Sequence, residues 1–106
     1  MALDLAPAGR MLDASAYTGV LLIVRGNGES YGVQLRTAAC MRPWQSYRAG
    51  FVAGPAWREI RLPFQRFEPC RLMEPLDVRQ LRRIGLVAIG RAFHADLAVS
   101  AIGFYG

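Results

Sequence analysis

Lysine is absent from the sequence: all 13 basic residues are arginine. Against 8 acidic residues they leave a formal net charge of +5. A binder of phosphate backbones gathers such charge into a stripe. Here the arginines run from Arg10 to Arg91 with no cluster, so no nucleic-acid partner is expected and the guanidinium stems are read as cover for aromatic rings. Histidine occurs once, as His94, and cysteine twice, as Cys40 and Cys70. No three of these fall at metal-ligand spacing, so neither a metal nor a cofactor is expected, and the two thiols are expected to be reduced. Long hydrophobic runs are also lacking: the longest aliphatic stretch is residues 20–24, far short of the ~20 residues of a membrane helix. The opening MALDLAPAGR sets Asp4 where a secretory signal carries positive charge and builds no apolar core, which points to the cytoplasm.

What is present is apolar and rich in turn formers. Of 106 residues, 53% are hydrophobic, with 11 glycines and 6 prolines. A chain of this size makes one domain that buries about two thirds of its open-chain surface. Residues 1–14 read as an extended lead-in to a single domain over 15–106. A first strand over 20–25 is followed by Gly26-Asn27-Gly28-Glu29, a tight hairpin signal. The return strand, 30–37, alternates, with Tyr31, Val33 and Leu35 on one face and Gly32, Gln34 and Arg36 on the other. Further strands are expected over 46–53 and 57–62, separated by Gly54-Pro55, then a proline-punctuated loop over 63–75. Asp77, with Gln80 three residues later, has capping-box spacing and opens one short helix near 77–83. Strands over 84–89 and 95–104 complete the reading, the last long enough for a bulge. This pattern specifies an all-β antiparallel sandwich or jelly roll.

The first strand carries a liability. Val20, Leu22 and Val24 alternate with Leu21 and Ile23, so both its faces are apolar and one needs cover. Self-association through that sheet face, or folding back of Leu3, Leu5 and Met11, would supply it.

Three motifs bear on chemistry. Gly28-Glu29-Ser30-Tyr31-Gly32 matches the GxSxG letters of a nucleophile elbow, but an elbow needs a helix after its serine and here a strand is expected. His94 and Asp96, two apart, can share a strand face, yet lack a third ligand. Arg42-Pro43-Trp44-Gln45-Ser46-Tyr47-Arg48 combines aromatic rings, guanidinium groups and hydrogen-bonding side chains in a loop entering a strand. That mixture suits a stacked sugar or a protein hot spot. It also suits a corner in which Trp44 and Tyr47 fill the core edge. The candidate site residues are Gln34, Arg36, Trp44, Gln45, Tyr47 and Arg48.

One resemblance spans nearly the whole chain. Ser15-Ala16-Tyr17-Thr18-Gly19-Val20, Val24-Arg25-Gly26-Asn27-Gly28, Leu35-Arg36-Thr37, Pro43-Trp44-Gln45-Ser46-Tyr47, Leu62-Pro63-Phe64, Pro75-Leu76-Asp77 and Arg82-Arg83-Ile84-Gly85-Leu86, in this order, resemble the complex I intermediate-associated protein 30 family. The resemblance implies a galactose-binding-domain-like jelly roll, similar to certain carbohydrate-binding modules. It also implies a role like that of the mitochondrial members, assembly chaperones for respiratory complex I; bacterial members are mostly uncharacterised. Asn27 stands where the family commonly has Asp, and Cys40 where a polar residue is usual. Further strands usually precede the segment equivalent to Ser15, so the jelly roll is expected to be incomplete at its amino terminus. The expectation is a non-enzymatic binding or assembly module with a protein partner, respiratory complex subunits by resemblance; the alternative is a jelly-roll carbohydrate-binding module holding a sugar.

Overall fold

The computed structural model of the protein describes residues 2–4, 11–89 and 96–106. Alternation organises the layers. In β3 (Ser30–Thr37), Tyr31, Val33 and Leu35 are buried while Gln34 and Arg36 are half-buried on the opposite face, as the period of two requires. β4 (Ser46–Val52) repeats the pattern with Tyr47, Ala49 and Phe51 inward. β7 (Leu81–Ala88) adds Ile84 and Leu86. With β1 (Ala2–Asp4) and β6 (Glu68–Cys70) these form a five-stranded sheet in the order β1-β7-β3-β4-β6.

The second sheet has β2 (Gly19–Arg25) at its centre, flanked by β5 (Arg58–Pro63) and β8 (Ala98–Tyr105), all antiparallel. Val20, Leu22, Val24 and Leu62 face inward, each 1% exposed or less, and join the inward residues of the first sheet in one core. Each fully buried side chain of this size contributes about 1.5–3 kcal/mol relative to exposure. The expected all-β sandwich of two antiparallel sheets is what the chain forms.

The expected bulge lies in β8. Ile23 is opposite Ala101 and Val24 opposite Val99, which leaves Ser100 as the extra residue. The short helix is a single 3-10 turn, Val78–Gln80, and its cap differs from the reciprocal box: Asp77 Oδ1 accepts from the Arg79 amide at 3.0 Å and from Arg79 Nε at 3.1 Å.

Four expectations need correction. The Asn27-Gly28 turn does not close a hairpin, because β2 and β3 lie in different sheets. Gly28 takes a left-handed conformation, φ 83°, and the chain turns a corner between layers, with Gly28 donating its amide to the Ala53 carbonyl at 2.7 Å. The 63–75 loop contains β6 and a 3-10 turn, Phe64–Arg66. The lead-in is partly structured: Ala2–Asp4 pairs with β7, Leu12 exchanges backbone hydrogen bonds with Leu81, and Ala14 is fully buried. Its described residues border the five-stranded sheet, not the outer face of β2. There Leu21 and Ile23 are half-buried, not bare. Arg61 on β5 stacks its guanidinium on the Tyr105 ring of β8 at 5.3 Å, bridging the two strands that flank β2.

Candidate binding site on the outer face of the five-stranded sheet

Strand register sets Gln34 of β3 beside Arg48 of β4 on one side and Gly85 of β7 on the other. Ser46 lies opposite Cys70, where β6 ends. The loop between β3 and β4 rises over this corner, and the result is a hollow of about 500 Å³ lined by Gln34, Arg36, Trp44, Gln45, Arg48 and Arg71 among others. A smaller hollow of about 300 Å³ adjoins it, sharing Gln34 and Arg36 and adding Arg83. Among the described residues no carboxylate lines the larger one.

Five of the six residues singled out in the sequence meet here, but in two different capacities. Arg36 and Gln45 hold the loop. Arg36 Nη2 donates to the Cys40 and Arg42 carbonyl oxygens at 3.1 and 3.0 Å. Gln45 Oε1 accepts the Met41 and Arg42 amides, both at 3.0 Å, and its Nε2 donates to the Arg71 carbonyl at 3.1 Å. With the amide engaged at both ends, Gln45 positions its neighbours more than it greets a ligand.

Gln34, Trp44 and Arg48 line the hollow and, among the described residues, make no side-chain hydrogen bond to the loop. Trp44 is 62% exposed at the rim, a large apolar surface that water solvates poorly. Arg48 is half-buried, and its stem lies over Gly32: a Cβ on Gly32 would come within 3.3 Å of Arg48 Cγ and Cδ. Its Nε is buried without a hydrogen-bond partner, a circumstance that costs about 1–3 kcal/mol.

Tyr47 does not belong to the site. The strand period that turns Arg48 outward turns Tyr47 into the core, fully buried. Its hydroxyl donates to the Glu74 carbonyl at 2.8 Å and lies 3.3 Å from that of Pro75. Burial pushes the phenol pKa above the usual tyrosine value, with the negative potential of Cys40 adding to the shift.

Arg71 escaped the sequence reading. It reaches the hollow through the pairing of β4 with β6 and takes a left-handed conformation, φ 67°. A side chain in that region is strained by roughly 1–2 kcal/mol, and the bond from Gln45 Nε2 helps to hold it. No local motif announces it. A second hollow of about 780 Å³, also unannounced, is lined by Tyr17, Phe64, Phe67, Met73, Pro75 and Leu76 among others, with no charged side chain among the described residues.

The reactive motifs fare differently. Ser30 is the first residue of β3, with strand and not helix after it, so the elbow geometry of a serine hydrolase is not formed. His94 lies outside the described residues, and Asp96 is exposed, donating its amide to the Tyr31 hydroxyl at 3.1 Å. Among the described residues no three of His, Cys, Asp and Glu gather to hold a metal, and Cys40 and Cys70 are free thiols. Among the described residues, too, no helix is long and apolar enough to cross a membrane.

Compared with models of known families, residues 4–99 match the one described as Complex I intermediate-associated protein 30. No curated protein matches the chain.

Proposed function

The chain belongs to the complex I intermediate-associated protein 30 family, and from that premise we propose that it is a non-enzymatic protein-binding module acting in complex I assembly. In this reading a polypeptide partner docks on the outer face of the five-stranded sheet. Gln34, Trp44 and Arg48 make the contact; Arg36 and Gln45 hold the loop that presents Trp44. The observation that supports it is Trp44 itself, 62% exposed at the edge of an arginine-lined hollow of about 500 Å³. Exposed tryptophan beside arginine is the composition of an interface hot spot. The fold serves as a scaffold with reach on one face and a packed core beneath it.

The test is affinity capture from the source cell with the tagged protein and with Trp44→Ala, read by mass spectrometry. Recovery of respiratory complex I subunits by the parent, diminished in the variant, is the expected result. Equal recovery by both moves the interface elsewhere, and no respiratory subunit in either overturns the assembly role. The sugar alternative uses the same tryptophan, so a glycan array probed with both proteins separates the two: Trp44-dependent glycan signal without captured subunits would establish the carbohydrate reading.

A further inference from the structure

Arg36, Arg48 and Arg71 all line the hollow, and among the described residues no carboxylate does. Two ion pairs form elsewhere on the surface, Arg61 with Glu59 at 2.9 Å and Arg79 with Asp77 at 3.1 Å. Glu68 stands opposite Arg48 in the β4–β6 register, yet it is exposed, lies outside the lining and forms no ion pair among the described residues. Arg36 spends Nη2 on the loop carbonyls and makes no other hydrogen bond among the described residues. Arg48 has a buried Nε with no acceptor. Arg71 is exposed and held in a left-handed backbone by a bond to its carbonyl that leaves its side chain unengaged. Three arginines that form no ion pair among the described residues, around one cavity, define what would complete them.

We propose that the hollow is a carboxylate receptor: it takes an acidic stretch of the partner polypeptide, whose Asp or Glu side chains pair with Arg36, Arg48 and Arg71 while an apolar residue of the same stretch lies on Trp44. The inference rests on the docking face proposed above and supplies its chemistry. Guanidinium forks match carboxylates in a two-bond geometry that fixes orientation as well as charge. Trp44 adds an apolar contact that a string of charges alone would not use.

The experiment uses the intact protein and two rhodamine-labelled peptides, one with four glutamates around a leucine and the other with glutamine at the same four positions, read by fluorescence anisotropy. The glutamate peptide is expected to bind about tenfold or more tightly than the glutamine peptide, with the preference shrinking several-fold between about 20 and 200 mM salt. Arg48→Gln and Arg71→Gln should each weaken the glutamate peptide about fivefold or more. Arg58→Gln, on the other sheet, should leave it unchanged. Because Arg48 packs on Gly32, Arg71→Gln and the two-peptide comparison on the parent protein carry the result if Arg48→Gln fails to fold. Equal affinity for the two peptides, or equal losses in Arg58→Gln, overturns the proposal. Tighter binding of a single-stranded oligonucleotide of matched charge overturns it in favour of phosphate. If subunit capture by the parent persists while the glutamate preference is absent, the docking face stands and only its carboxylate chemistry falls.

Discussion

Tyr31 donates its phenolic proton to Asn27 Oδ1 at 2.8 Å and accepts the Asp96 amide at 3.1 Å. One hydroxyl thus joins the corner between β2 and β3 to the approach to β8, two places where the chain changes sheets. Its ring is 2% exposed and stacks on Phe51 with centroids 6.1 Å apart.

Tyr31→Phe keeps that packing and removes both hydrogen bonds. The expected loss of stability is about 1–3 kcal/mol, since the groups left behind are partly buried. Tyr31→Ala should cost more, about 3–5 kcal/mol, through the cavity. Urea unfolding of the three proteins measures the difference; a Phe variant as unstable as the Ala variant would show that the ring, not the hydroxyl, carries the effect.

Trp44 and Tyr47, three residues apart, should behave as opposites. Trp44→Ala is expected to change stability by no more than about 0.5 kcal/mol, as for an exposed site. Tyr47→Ala should cost about 3–5 kcal/mol. Thermal melts of both variants test the assignment of one ring to the surface and the other to the core.

Two titrations should limit stability from opposite sides. Hydrogen bonds from Arg79 hold the Asp77 carboxyl below its ordinary pKa. A depressed folded-state pKa gives stability that is present above the unfolded value, near 4, and is lost as pH falls through the folded one. Asp77→Asn should therefore flatten the acid limb of the stability curve. Tyr47 runs the other way: with its folded pKa raised by burial, stability is full below about 10 and declines as pH rises through the folded value. Tyr47→Phe should remove that alkaline decline, and absorbance at the tyrosinate band should lose its last-titrating component.

Ser30 is expected to be chemically inert. As the opening residue of a strand, it lacks the helix amino terminus that an elbow serine uses to stabilise an oxyanion. A fluorophosphonate probe should give no labelling, and labelling that vanishes in Ser30→Ala would contradict this.

Much of this was legible from local pattern. The bounds of β3 and its polar face follow from two-residue alternation alone, and so do Gln34 and Arg36 as site neighbours. The same alternation, carried through Ser46-Tyr47-Arg48-Ala49, would have turned Tyr47 inward; its aromatic neighbour Trp44 obscured that. The corner at Asn27-Gly28 was unreadable for a physical reason: left-handed backbone is needed both to close a hairpin and to step between layers, and only distant pairing decides which occurs. Arg71 was hidden likewise, since its place depends on Cys70 meeting Ser46 across β4 and β6. β1 and β6 have three residues each, too few to show a period.

The central position of β2 governs the order in which this molecule can assemble. Its first residue, Gly19, lies opposite Pro63 on one side and Tyr105 on the other, so neither neighbour is close in the chain. Closing loops of such length costs entropy before any contact is gained, and folding slows accordingly. β3 and β4, joined by eight residues, meet at far smaller separation. The arginine-lined face therefore has a local route to form early, while the aliphatic strand behind it waits for partners from distant parts of the chain. During that interval Val20 to Val24 is the stretch most exposed to misassociation, a vulnerability of the folding chain that the finished sandwich conceals.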